Sequence, residues 1–425
     1  MKLVLILPPS PWLISDRDQP FLGTLYLCSY LRSKGHQVQV CDLSGLSMES
    51  WFLPVGDVYG VTGVSPHFQY VQRIIEILKE RDSKCKVIVG GVHASLLPNH
   101  VLARTKADYC VVGEGEVPMD LYLSNEDPRT IAGFVGREFS NRPAHPLKDL
   151  NSLPFPSRED VDYYDYLTPR TYKYLTTNRD ASIMSGRGCP YRCAFCASYN
   201  LNQGKVRFRS SVNVYEELKY LKERFDVGMV NFVDDTFTLL PSRVLDLCNK
   251  ISVLELKWYC LTRVDKANLS LFQTMKNSGC ISVTYGFESG SNQMLKKMKK
   301  NTTVEQARDA IVKAKSAGLK IRGQLIVGFP GESVETVEET AEFIRNSPEV
   351  DAWGVHVFQV YPGTDVWCNS EAYGIPQYKA ERLEFGHTIG KPGDELTDDQ
   401  RIQDWFDYLR CVAGEHNIDK VVANV

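Results

Sequence analysis

Short apolar runs punctuate the first third of the chain at residues 3–7, 38–41, 58–64, 86–89 and 109–112. Between them lie longer stretches with apolar positions at helical spacing, clearest at 22–34 and 69–81. Continuous apolar runs this short suit strands buried on both faces, and the stretches between suit helices covering them. The pattern predicts a doubly wound, flavodoxin-like (Rossmann-like) domain of about five parallel strands, with ligands beyond the carboxyl ends of the strands.

A second series begins near residue 181. Strands are predicted at 181–185, 229–233, 258–263, 282–287, 320–327 and 353–360, with helices at 212–224, 243–253, 269–278, 304–317 and 334–344. Gly279 and Gly318 stand just past two of these helices, where a left-handed residue ends them. Six strand–helix units fall two short of a closed eight-unit barrel, so a partial (β/α)6, TIM-like barrel is expected, with its chemistry at the carboxyl ends of the strands. Between the two series, Asn125-Glu-Asp-Pro128 and Leu153-Pro-Phe-Pro-Ser157 are turn-rich, and an apolar stretch at 131–135 fits an extra strand pair. A helix is expected over 398–415. The domain plan is therefore 1–125, a linker at 126–178, a barrel at 179–365 and a small helical cap at 366–425.

Composition narrows the class. A length of 425 residues, 43% hydrophobic and 24% charged, describes a globular protein of two or three domains, and a net charge of −3 gives no footprint for nucleic acid. The first residues, Met-Lys-Leu-Val-Leu-Ile-Leu-Pro-Pro, are too short an apolar run for a signal peptide and read as a buried strand. No run approaches membrane-spanning length. Twelve cysteines without a secretory leader fit reduced thiols in the cytoplasm better than a disulfide framework.

Three of the twelve differ from the rest. Ser185-Gly-Arg-Gly-Cys189-Pro-Tyr-Arg-Cys193-Ala-Phe-Cys196 places Cys189, Cys193 and Cys196 on one loop directly after the first barrel strand. A zinc site would ask for a second pair of ligands, and no cysteine or histidine pair lies close by. Three thiolates suit an iron–sulfur cluster with one iron left for a non-cysteine ligand. Other candidate positions sit at strand ends. In the first series these are Gly90-Gly-Val-His93 and Gly113-Glu-Gly-Glu116, where glycines let a backbone approach a large ligand. In the second they are Phe232-Val-Asp-Asp-Thr-Phe-Thr238, Gly286-Phe-Glu-Ser-Gly290 and Gly323-Gln-Leu-Ile-Val-Gly-Phe-Pro-Gly-Glu332.

The cysteine loop, with an aromatic before its last cysteine, resembles that of the radical S-adenosylmethionine enzymes. The resemblance implies a [4Fe–4S] cluster held by Cys189, Cys193 and Cys196, with S-adenosylmethionine on the fourth iron. It also implies Phe195 near the adenine, Asp234 or Asp235 on the methionine amine, Glu288 near the ribose, and Gly328 in the glycine-rich segment beside the adenine. The glycine spacing of that segment is one residue off the commonest form. The amino-terminal motifs are similar to those of the cobalamin-binding subgroup, which implies that Gly90, Gly91, Gly113, Gly115 and His93 contact cobalamin. The Asp-x-His-x-x-Gly motif that supplies a cobalt ligand elsewhere is missing, so base-off cobalamin with no protein lower ligand is expected.

The family mechanism implies reductive cleavage of S-adenosylmethionine to a 5′-deoxyadenosyl radical. Hydrogen abstraction and transfer of a methyl group from methylcobalamin to an unactivated carbon of a small molecule or peptide would follow. A flavodoxin- or ferredoxin-type electron donor is implied as partner. Oxidative cyclisation or ring rearrangement on the same cofactors, a radical enzyme whose amino-terminal domain binds no cobalamin, and a non-catalytic cobalamin or redox sensor stay open. Residues 361–393, with His356, Gln359, Tyr361 and His387, are the expected contributors to a substrate pocket.

Overall fold

The computed structural model of the chain describes residues 1–13, 15–167, 179–375 and 400–414. It contains two compact units, one of Met1–Tyr166 with Leu201–Gln203 and one of the other described residues.

In the amino-terminal unit, strands β1 (Lys2–Leu7), β2 (Gln37–Asp42), β3 (Val58–Val61), β4 (Lys86–Val89) and β5 (Tyr109–Val111) are parallel and lie in the order β2-β1-β3-β4-β5. This is the doubly wound order, whose reversal between β1 and β3 opens a crevice at the carboxyl ends. Leu3 to Leu7 are all buried, as an apolar run without alternation requires. The helix Phe68–Arg81 covers one face with Phe68, Val71, Ile74, Ile75 and Leu78 packed on Val4, Ile6, Val61, Val87 and Val89. Burial of side chains of this size is worth roughly 1.5–3 kcal/mol each.

One boundary differs from expectation. The third strand ends at Val61 rather than at 64, because Gly63 turns the chain into the 3-10 turn Ser65–His67. The extra strand pair expected from the apolar stretch at 131–135 is present as β6 (Phe134–Gly136) and β7 (Phe139–Ser140), an antiparallel extension of the sheet beside β5.

In the carboxyl-terminal unit, β8 (Asp180–Ile183) opens the barrel series. It is followed by a short antiparallel ribbon of β9 (Gly186–Arg187) and β10 (Arg207–Phe208). Strands β11 (Met229–Phe232), β12 (Lys257–Thr262), β13 (Cys280–Glu288), β14 (Lys320–Val327) and β15 (Ala352–Val357) then join β8 in one parallel sheet in chain order. Among the described residues β8 and β15 do not pair, so the barrel is open, as six units imply. Gly279 fixes one corner: its φ is +101°, and a Cβ there would stand 2.1 Å from the Leu256 carbonyl oxygen.

The last described helix runs from Gln400 to Gly414 and packs along the helix Val334–Arg345, where Tyr408 bonds both Glu338 and Arg345. It therefore lies beside β15 as a sixth outer helix. No helix among the described residues is long and apolar enough to cross a membrane.

Candidate functional site

The cysteine loop grows out of the β9–β10 ribbon, which closes the chain between residues 188 and 206 into one excursion at the carboxyl end of β8. Gly188, at φ +94°, turns the chain into it. Its middle is anchored by Ala194, whose N–H donates to the Met298 carbonyl (2.8 Å) and whose carbonyl accepts from the Val366 N–H (3.1 Å). Phe195 lies partly buried against Ala194, Met294, Met298, Phe329 and Val366, with the Lys300 ammonium 5.7 Å from its ring centre.

Cys193 is buried, while Cys189 and Cys196 are partly exposed. Burial raises the Cys193 thiol, with Lys300 and Arg263 opposing the rise, and burial pushes the Cys196 thiol up to about 11. Such thiols favour the protonated, unreactive form, and a metal that binds the sulfur displaces the proton to solvent. Cys189 acts on both Cys193 and Cys196. Among the described residues no three Cys, His, Asp or Glu side chains converge closely enough for a single ion. A mononuclear thiolate site needs sulfurs about 2.3 Å from one point, whereas a polynuclear cluster spreads its ligands over several irons. The donor set, three thiols on one anchored loop, fits the cluster.

The two adjacent aspartates separate. Asp234 is buried and accepts from the Ser185 N–H (2.7 Å) and the Ser185 hydroxyl (2.6 Å), with an Arg243 nitrogen 3.8 Å away. Burial raises its carboxyl, and Arg243 opposes the rise. Asp235 is exposed on the cysteine side, where it accepts from the Ser198 hydroxyl (2.6 Å), two residues past Cys196. Thr236 lies 3.7 Å from the Cys189 sulfur. The sequence motif thus supplies one scaffold carboxylate and one available at the loop.

Glu288 ends β13 in the left-handed region (φ +66°) and pairs with Lys300 at 2.7 Å, both largely buried. A Cβ at position 286 would stand 2.3 Å from the Glu288 carboxylate, so Gly286 makes room for this pair. Gly328, at φ +85°, is covered by Ile402 from the last helix, which a Cβ would meet at 2.8 Å. Inside the barrel, His356 Nε2 and Gln324 Oε1 are 2.6 Å apart on neighbouring strands. Burial lowers the His356 pKa, and Arg322 adds to the effect. Gln359 is half-buried, Tyr361 is exposed, and His387 lies outside the described residues.

Arg263 is the barrel arginine that the sequence offers as a partner for Glu288, but the fold gives that carboxylate to Lys300 and turns Arg263 to Asp265 and Cys193. Lys300, Ser198 and Gln324 were not singled out from the sequence. Gln324 carried a signal: Arg322, Gln324 and Ile326 alternate with buried Ile321, Leu325 and Val327, the mark of a strand with one face on an open interior.

In the amino-terminal unit the rim at the strand ends carries Gly90, Gly91, Gly113 and Gly115. Gly91 (φ +84°) approaches Thr62 and Gly63 so closely that a Cβ would stand 2.6 Å from the Thr62 hydroxyl, and nothing lies within 4 Å of a Cβ at Gly90. Gly113 donates its N–H to the Ser95 hydroxyl (3.0 Å), and Gly115 precedes the helix Glu116–Leu123. Val64, Val92 and Val117, one after each of three successive strands, are exposed there. An apolar, glycine-lined rim fits a broad flat ligand such as a corrin. His93 lies beneath this rim, 3% exposed, with Nδ1 3.0 Å from the Ser65 hydroxyl and its ring against Phe68 and His100. His67, which the sequence did not point to, is 4% exposed. Its Nδ1 accepts from the Val64 N–H (3.0 Å) and its Nε2 lies 2.9 Å from the Ser10 hydroxyl. Burial lowers the pKa of both histidines to about 4.

Comparison with known proteins agrees with this division. The radical SAM superfamily profile matches residues 183–344 and the B12 binding domain profile matches residues 15–123. The chain is 31% identical over 390 residues to the uncharacterized methyltransferase PH0819 of Pyrococcus horikoshii, covering 86% of this chain and 82% of that protein. It is 28% identical over 392 residues to an anaerobic magnesium-protoporphyrin IX monomethyl ester cyclase of Rubrivivax gelatinosus, covering 86% and 69%. It shares its fold with the radical S-adenosylmethionine methyltransferase TsrM of Kitasatospora setae, solved with cobalamin and a [4Fe–4S] cluster, at TM-score 0.69 and 18% identity over 86% of this chain and 74% of that one.

Proposed function

Because the chain belongs to the cobalamin-binding radical S-adenosylmethionine enzymes, we propose that it transfers a methyl group to an unactivated carbon of a small molecule or peptide. The observation that carries the reading is the anchored three-cysteine loop with Asp235 beside it, in a chain whose relative over most of its length is named a methyltransferase. When bound, the cluster and S-adenosylmethionine supply a carbon-centred radical, and cobalamin supplies the methyl group.

The chain's own residues hold and orient. Cys189, Cys193 and Cys196 hold the cluster. Asp235, and not Asp234, which is held by Ser185, receives the methionine amine. Phe195, the Glu288–Lys300 pair and the segment at Gly328 border the nucleoside. In this reading residues 1–125 form the cobalamin domain, 126–178 its connection, 179–365 the radical domain and 366–425 its closing segment. Gly90, Gly91, Gly113 and Gly115 admit the corrin, and His93 supports their turns from beneath.

Base-off binding without a protein lower ligand is supported by the engagement of His67 and the burial of His93. With Nδ1 accepting from Val64, neutral His67 carries its proton on Nε2 and donates it to Ser10. His93 is 3% exposed, beneath the rim and with its ring against Phe68 and His100. A flavodoxin- or ferredoxin-type protein in the same reducing cytoplasm would deliver the electron. The Rubrivivax relative favours oxidative cyclisation as the second reading.

Anaerobic turnover of the reconstituted chain with methyl-labelled S-adenosylmethionine and candidate substrates tests the proposal. Label in a carbon-bound methyl of product supports it. Substrate consumed to an unlabelled, dehydrogenated product would transfer the reading to the cyclase class.

A further inference from the structure

Arg263 follows the last residue of β12 and is 5% exposed. Its donors are distributed over three directions. Nε donates to Asp265 Oδ1 (2.9 Å), Nη2 donates to the Lys300 carbonyl (2.8 Å), and Nη1 is directed at the Cys193 sulfur (3.7 Å). The guanidinium lies 3.6 Å from the ring centre of Tyr191, midway between Cys189 and Cys193, and the Tyr191 hydroxyl donates to Asp265 at 3.3 Å. The fork is held on every side, so its place against the sulfur is fixed before any cluster arrives.

We infer that Arg263 is a positioning residue that raises the reduction potential of the centre held by Cys189, Cys193 and Cys196, through a charged hydrogen bond to the Cys193 sulfur. The inference rests on the cluster reading. Adding one electron makes the cluster more negative, so a cation and a hydrogen bond at a ligand sulfur favour the reduced form. The other charges facing Cys193 are Lys300 and Glu288. Lys300 acts on the sulfur in the same sense as Arg263 but is paired with Glu288 at 2.7 Å, whereas Arg263 directs an N–H at the sulfur itself. Lysine could supply the charge but not the three-way fork.

The test is an EPR-monitored redox titration of the full chain, reconstituted with iron and sulfide, without S-adenosylmethionine. Arg263→Gln should keep its iron yet show a reduced-to-oxidised ratio about tenfold lower at fixed applied potential, equivalent to about 59 mV for one electron. Arg263→Lys should recover part of that loss. Asp265→Asn, which strips the guanidinium of its counter-charge, should shift the ratio several-fold the opposite way. A loaded Arg263→Gln protein titrating with the wild type overturns the inference; should that variant fail to hold iron, an unmoved Asp265→Asn does so. A wild-type chain that takes up no cluster refutes the cluster reading itself, and the inference with it.

Discussion

Asp234 accepts two hydrogen bonds from Ser185, one from its N–H at 2.7 Å and one from its hydroxyl at 2.6 Å, and both residues are buried. The bonds tie the carboxyl end of β11 to the start of the cysteine loop, and Arg243 completes the cluster by donating to the Ser185 carbonyl (3.0 Å). Replacing Asp234 by alanine strands a buried arginine and should destabilise the chain by on the order of 3 kcal/mol. The same change at exposed Asp235 should leave thermal stability within about 0.5 kcal/mol and weaken S-adenosylmethionine binding. Thermal unfolding and equilibrium binding of the two variants distinguish these roles. Equal destabilisation would contradict the assignment.

The Glu288–Lys300 pair predicts a non-additive cycle. Glu288→Ala leaves a buried ammonium uncompensated and should cost about 3–5 kcal/mol. The double change Glu288→Ala with Lys300→Met should cost less than Glu288→Ala alone. Denaturant unfolding of the four proteins measures the coupling.

The surroundings of His67 and His93 and those of Glu332 should respond to acid in opposite senses. His67 and His93 titrate near 4 in the folded unit against 6.5 for the free side chain. The unfolded chain therefore binds more protons between those values, and the stability these histidines contribute is complete above pH 6.5 and lost as pH falls toward 4. In the other unit, burial raises Glu332 from 4.5 to about 7. There the folded state holds the extra proton, so stability falls as pH rises from 4.5 to 7. Hydrogen exchange at pH 5 against pH 7.5 should show reduced protection of the helix Phe68–Arg81 and increased protection around Gly328–Glu332. Parallel changes in both places would contradict these environments.

Most strand and helix positions were legible because buried parallel strands are written as unbroken apolar runs. β4 and β14 begin and end where those runs do. The apolar run at 58–64 overshot its strand because Val64 is an exposed rim residue, apolar for what it faces rather than for core packing. The short helices Gly91–Leu96 and Pro98–Arg104 were missed because Gly90-Gly91 and Pro98 read locally as turns. In the site, the cysteines announced themselves by spacing. Lys300 did not, and Arg263 could be read only as a partner for Glu288, because the sulfur it meets stands 70 residues away and the carboxylate goes to Lys300, 12 residues from it. A lone cation in sequence gives no sign of the sulfur or carboxylate that the fold brings to it.

The central claim is that Cys189, Cys193 and Cys196 together hold the centre that cleaves S-adenosylmethionine. Quantifying 5′-deoxyadenosine after anaerobic reduction of the reconstituted chain tests it most directly. The wild type should produce it when S-adenosylmethionine and a reductant are supplied. The triple alanine variant should bind no cluster and produce none, while still taking up cobalamin. Formation of 5′-deoxyadenosine by the triple variant, or its lack in a wild type with full iron and sulfide content, would contradict the account.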